Sequence, residues 1–99
     1  MAIKYEALRT FVAVARAGEL QLAANNLART PSAVSMSLKQ LGEELGVALF
    51  ETDRKAKLTR AGEAVLAEAE RAVRSFEHSL DAIRHASQSD AGFLRIAAV

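Results

Sequence analysis

The sequence predicts a mainly α fold: three short helices and a short β-hairpin, followed by one long helix. Three observations carry that prediction. Aromatic residues make up only 5% of the 99 residues and alanine is abundant, which favours helix over sheet. Apolar residues recur at steps of three and four before residue 46 and again after residue 60. The single proline, Pro31, falls where one helical pattern stops and the next begins.

Residues 5–17 place Leu8, Phe11, Val12 and Ala15 at helical spacing. Gly18 then ends the helix as a left-handed cap. A second helix is expected over 20–28, with Leu20, Ala23, Ala24 and Leu27 on one side. Its small residues let another helix approach closely. Asn25 and Asn26 are poor helix formers and are expected to face outward.

Arg29, Thr30 and Pro31 break the pattern. Thr30 is a good N-cap, and Pro31 suits the first helical position because its missing N–H would be unpaired there anyway. A third helix therefore spans 31–45 and stops at Gly46. Two short helices joined by a tight turn, the second of them amphipathic, make a helix-turn-helix candidate. At about 100° per residue, Val34, Leu38, Leu41 and Leu45 share the face that belongs to the core. Ser32, Met36, Lys39 and Glu43 lie opposite, flanked by Ser35 and Gln40. That second face is solvent or partner surface.

Residues 47–59 read as the hairpin. Val47, Leu49 and Phe50 are apolar, the middle is charged, and Leu58 returns to the core. Asp53, Arg54, Lys55, Ala56 and Lys57 form a basic tip, the shape and charge of a wing.

The long helix is expected from Thr59 or Arg60 to about Ser87, with Thr59 as cap and Glu63 near its positive end. Leu66, Ala69, Val73, Phe76, Leu80 and Ile83 follow steps of 3, 4, 3, 4 and 3, a heptad seam. Some 28 residues would span roughly 40 Å. A helix that long cannot bury its seam on one small domain, so a second copy is the expected partner, with an intrachain core as the alternative. Burying Phe76 and Leu80 there would contribute roughly 1.5–3 kcal/mol each. Residues 85–92 are small and polar and read as a linker. Residues 93–98 read as a strand with no sheet to join, so a further domain is expected behind them. The organisation expected is a winged helix-turn-helix over 1–60, a dimerisation helix over 61–88, and a hinge leading into another domain over 89–99.

Charge is uneven. The formal net charge is +1, with a balance of +3 over residues 1–62 and −2 over 63–99. Positive charge thus collects on the helix-turn-helix and wing. Cysteine is absent, which excludes disulfides and thiol metal sites and fits a reducing compartment. Glu6, Arg9 and Arg16 interrupt any signal-like apolar run. No stretch approaches the roughly 18 apolar residues of a membrane span. A cytoplasmic protein with no membrane partner is expected. His78 and His85 lie seven residues apart, without the i, i+4 spacing of a metal pair. A Gly-rich phosphate loop, a nucleophile motif and a carboxylate dyad are all missing from the sequence. No catalytic residue, no metal and no cofactor is therefore expected, and the chain is not read as an enzyme.

With these elements placed, the sequence resembles the N-terminal region of LysR-type transcriptional regulators. Leu8, Phe11, Ala15 and Gly18 match the first helix, and Ala23, Ala24 and Leu27 the second. Thr30, Pro31, Ser32, Ala33, Val34 and Ser35 match the start of the family's recognition helix. Leu41, Glu43, Glu44, Leu45 and Gly46 follow at the family's spacing, then Leu49, Phe50 and Glu51. Leu58, Thr59, Ala61 and Gly62 match the entry to its linker helix, and Leu94, Arg95 and Ile96 resemble the first strand of its effector-binding domain. The resemblance covers nearly the whole chain. Departures exist: many members carry Arg where this chain has Met36, and Thr52 replaces a frequent Arg.

The resemblance implies binding to double-stranded DNA at a pseudo-palindromic site. Thr30, Pro31, Ser32, Ser35, Met36 and Lys39 would act from the recognition helix, and Arg54, Lys55 and Lys57 from the wing. It implies a homodimer through antiparallel long helices, with a homotetramer of the full-length protein left open. Leu66, Ala69, Val73, Phe76, Leu80 and Ile83 would form that interface. It also implies a small-molecule effector bound by a C-terminal domain that these residues do not include. Without the resemblance, the exposed helix face and charged hairpin read first as an ordinary solvated surface, ahead of a DNA contact. Two rivals share the fold: a winged helix used only as a protein-interaction scaffold, and a winged-helix regulator with its sensor in the same domain.

Overall fold

The computed structural model of the protein describes residues 2–52 and 56–97, with side chains through Ser89. Four helices follow in order: α1 Tyr5–Ala17, α2 Leu20–Asn26, α3 Pro31–Leu45 and α4 Arg60–Ala97.

The helix ends are set by local chemistry. Gly18 takes a φ of 70°, and its N–H donates to the Val14 carbonyl at 3.0 Å, closing α1. Seven-residue α2 is too short to persist alone. It ends in a Schellman arrangement, in which Arg29 N–H donates to Ala24 O at 3.0 Å and Ala28 N–H to Asn25 O at 3.2 Å. The left-handed position of that motif is held by Ala28, at φ 55°, where glycine is usual. Thr30 caps α3, its Oγ1 accepting from the Ala33 N–H at 3.1 Å, and Pro31 is the first helical residue, as expected.

The packed centre has two joined parts. Phe11, Val12, Leu41, Leu49, Ala69 and Val73 form one, which unites α1, α3, the wing and the start of α4. Val14, Ala23, Ala24 and Val34 form the other, between the first three helices. Both alanines of α2 are fully buried, so α2 lies close against its neighbours. The first helix buries Val14 and leaves Ala15 only half-buried. Thr10 is the buried polar residue of this centre, and Arg29 Nη1 satisfies its hydroxyl at 3.1 Å.

The expected pair of short strands is reduced, among the described residues, to one antiparallel bridge between Phe50 and Leu58. Glu51 N–H donates to Lys57 O at 2.7 Å and Thr59 N–H to Leu49 O at 3.0 Å. Pairing is confined because Ala56 turns left-handed at φ 66° on one side and Thr59 already caps α4 on the other. Phe50 meets Phe11 edge-on, with ring centroids 5.6 Å apart, which roots the wing in the core. Arg54 and Lys55 of the tip lie outside the described residues.

Thr59 Oγ1 accepts from the Gly62 N–H at 2.9 Å and donates to Ala48 O at 2.6 Å. One side chain thus ties the incoming arm of the wing to the start of α4. The helix then runs for 38 residues. The linker predicted over 85–92 is helical, and so is 93–97, where a strand was predicted; Ala98 lies outside the described residues. The polar stretch contains no proline, alanines occur throughout it, and Gly92 costs only about 1 kcal/mol in a helix. A strand there would also need a partner strand, and the described residues offer none.

The seam of α4 divides. Ala69 and Val73 are buried and Leu66 partly buried against α1 and the wing, so its first half belongs to the protomer's own core. This corrects the expectation that the whole seam is free for a second copy. The core needs an element to cover Phe11 and Leu49, and the start of α4 is the one that Thr59 delivers there. Beyond Glu77 the helix leaves the body; Phe76 keeps 47% of its surface exposed, Leu80 is half-buried and Ile83 is 61% exposed. Tyr5 stacks on Phe76 with centroids 4.2 Å apart, and Arg16 pairs with Glu70 at 3.0 Å, so α1 fixes the direction in which the arm departs.

Candidate nucleic-acid interface

The site is built from the start of α3. Val34 and Leu41 are fully buried on one side of this helix, and that anchors its rotation about its axis. The opposite side must then face out. Ser32, Ser35, Met36, Lys39, Gln40 and Glu43 are all exposed. The predicted residues Ser32, Ser35, Met36 and Lys39 thus share one outward stripe over the first two and a half turns.

The helix start supplies backbone chemistry. Pro31 has no N–H, the Ala33 N–H goes to Thr30 Oγ1, and the Val34 N–H goes to Thr30 O at 3.1 Å. The Ser32 N–H remains as a first-turn donor beside an exposed hydroxyl, at the positive end of the helix dipole. An anion is favoured there. Thr30 is exposed and Pro31 half-buried, so Thr30 acts as cap while its carbon skeleton stays at the surface.

The charges grade along the stripe. Lys39 is the cation of the third turn, and Glu43 follows one turn later. A polyanion would meet hydroxyls and a cation at the front of α3 and a carboxylate behind it. Electrostatics therefore favours such an anion at the first two and a half turns over the rest of the stripe. Lys57 and Arg60, on the returning arm of the wing and the first turn of α4, are exposed as well. Arg29 is the exception among the nearby cations, since its guanidinium points inward to Thr10.

That Arg29–Thr10 bond was not foreseen from the sequence. It clamps the turn between α2 and α3 to α1, and so sets where α3 and its outward stripe begin. No periodicity signals it, because the two residues are 19 apart and a helical repeat does not say which polar side chains meet between elements. The Tyr5–Phe76 stack was likewise unseen. Its phenol donates to Glu77 Oε2 at 3.3 Å, and burial first and the Glu77 carboxylate second hold Tyr5 above its ordinary pKa.

Similarity to known proteins agrees with this geometry. The sequence profile of the bacterial regulatory helix-turn-helix proteins of the lysR family matches residues 5–63. The HTH-type transcriptional regulator y4mQ of Sinorhizobium fredii is 42% identical over 91 residues, covering 91% of this chain and 30% of that protein. The chain spans about a third of the length of such curated relatives. Among solved structures, the CbnR DNA-binding domain in complex with DNA is 34% identical, with a TM-score of 0.76 over 86% of this chain and 99% of that one. The BenM DNA-binding domain bound to catB site 1 DNA has a TM-score of 0.81 at 24% identity, covers 88% of this chain and 95% of that one, and shares the winged helix-turn-helix fold. A buried helix-turn-helix, an outward hydroxyl-and-lysine stripe and a family match over 5–63 together place the chain in the lysR family of bacterial regulatory helix-turn-helix proteins.

Proposed function

We propose that this chain is the DNA-binding part of a LysR-type transcriptional regulator, reading a pseudo-palindromic operator as a homodimer. Helix α3 enters the major groove with Ser32, Ser35, Met36 and Lys39, and the Thr30–Pro31 corner sets its N-terminus on a phosphate. Arg54, Lys55 and Lys57 of the wing hold the backbone on the flank. The observation that carries this reading is the outward stripe of α3, exposed along residues whose opposite neighbours, Val34 and Leu41, are fully buried. Relatives named as transcriptional regulators and likeness to DNA-bound domains support it.

The dimer rests on the outer half of α4. Phe76, Leu80 and Ile83 lie at steps of four and three where α4 departs from the body of the protomer; Phe76 is stacked on Tyr5 but still 47% exposed, and Ile83 is an apolar side chain in open solvent. Pairing two arms sets two copies of α3 on one duplex. The arms account for a dimer, and whether two dimers join into a homotetramer in the full-length protein stays open. A C-terminal domain beyond the arm would bind a small-molecule effector and alter the spacing of the DNA contacts. No helix of the described residues is long and apolar enough to cross a membrane, and action on DNA fits the cytoplasm. The role is one of binding, without catalysis or cofactor.

Selection of bound fragments from a sheared bacterial genome tests the reading. Recovery of a two-fold symmetric motif, with half-sites about one helical turn apart, is the expected result. A chain that dimerises but retains no duplex at low salt belongs to the scaffold reading instead.

A further inference from the structure

The recognition stripe carries one side chain that phosphate chemistry does not use. Met36 is 68% exposed, the most exposed large apolar side chain among the described residues. It sits between the hydroxyls of Ser32 and Ser35 and the cation of Lys39, all of them exposed. Helical side chains lean toward the N-terminus, so Met36 lies over the turn that begins with Ser32, whose short side chain leaves it room. The fully buried Val34 and Leu41 hold the helix so that Met36 cannot turn inward.

An unbranched thioether offers dispersion contact and almost no hydrogen bonding. The edges of unmodified base pairs in the major groove show donors, acceptors and one apolar group, the 5-methyl of thymine. We infer that Met36 makes this chain a reader of a pyrimidine 5-methyl group, selecting thymine at one position in each half-site. The inference rests on the DNA-binding reading above and adds the chemical group that α3 selects. The same contact accepts 5-methylcytosine, which carries the same methyl at the same place.

The test uses the full chain and the motif recovered by selection. Each thymine of a half-site is replaced in turn by uracil, which removes only the methyl. Burial of one methyl is worth roughly 0.8 kcal/mol, or about fourfold in affinity. At one thymine per half-site, uracil should therefore weaken binding about fourfold, and about sixteenfold when both half-sites are changed. In Met36→Ala the thymine-to-uracil ratio at that position should fall to one. Met36→Leu, still apolar, should keep it. With cytosine placed there, methylation of its C5 should raise the affinity of the unaltered chain and leave Met36→Ala unmoved. Both variants lie on an exposed helix surface and keep the fold. Equal thymine-to-uracil ratios in the unaltered chain and Met36→Ala at every position would overturn the inference while leaving DNA binding intact. Failure to retain any duplex would remove the DNA-binding reading itself, and this inference with it.

Discussion

Replacing Gly62 with alanine should destabilise the protein sharply, although alanine is the better helix former. Gly62 is buried in the first turn of α4. A Cβ built on it overlaps the carbonyl oxygen of Leu49, and lies 3.0 Å from that carbonyl carbon and 3.1 Å from Leu58 Cδ2. Two of these three atoms are backbone, so no rotamer change relieves the overlap. Leu49 must retreat by about 1 Å or α4 must lift. Either movement strains the bond from Thr59 N–H to Leu49 O at 3.0 Å and draws Leu49 out of the core. Overpacking costs roughly 1–3 kcal/mol and one weakened hydrogen bond about 1 kcal/mol. The gain in helix propensity returns about 1 kcal/mol. The balance is a loss of about 2 kcal/mol, which lowers Tm by roughly 8–16 °C in a domain of this size. Thermal unfolding followed by circular dichroism at the helix band reads it directly. Gly42→Ala supplies the graded control, since its Cβ meets only the Val47 carbonyl oxygen, at 3.0 Å, and should lose less. A Tm for Gly62→Ala equal to or above that of the unaltered chain would refute the close approach of α4 to the wing.

Three further outcomes follow from the same geometry. Ala28→Gly should stabilise by about 0.5–1 kcal/mol, because glycine relieves the left-handed φ of 55° and forfeits only part of that gain as backbone entropy; a lower melting temperature would show that Ala28 is not strained. Lys39→Ala should weaken DNA binding and, with two protomers each losing one phosphate contact, reduce the slope of log affinity against log salt by about 1.8; an unchanged slope would assign Lys39 to a base edge or to solvent. Ile83→Glu should convert a dimer into a monomer at micromolar concentration by sedimentation, with Tm little changed because Ile83 stands clear of the protomer core; an unaltered dimer mass would place the interface elsewhere.

Much of the site was readable because helices write themselves into spacing. The outward stripe of α3 follows from four apolar residues at steps of four and three, and its start from Thr30 and Pro31. These are local signals, and the caps found at Thr30, Thr59 and Gly18 are the ones the residue types require. The wing was legible as a change of pattern but not in its extent, since the length of pairing depends on where Ala56 turns and Thr59 is held. The polar run after residue 84 reads as a linker because its residues are small and polar. No single residue there stops a helix that is already propagating, and the structure continues it to Ala97.

By itself the sequence determined the order of the helices, the face of α3 that turns outward and the family to which the chain belongs. The first two depend on residues within a few turns of one another, where backbone geometry alone fixes which side chains share a face, and the family on the order of residue types along 5–63. Tertiary structure decided how the seam of α4 is shared, with Ala69 and Val73 given to the core and Phe76 and Ile83 left outside. It also decided that Thr10 and Arg29 bind one another and that Gly62 admits no side chain. Those facts join residues far apart in the chain, and a helical repeat is the same whether its apolar face meets its own domain or a second molecule.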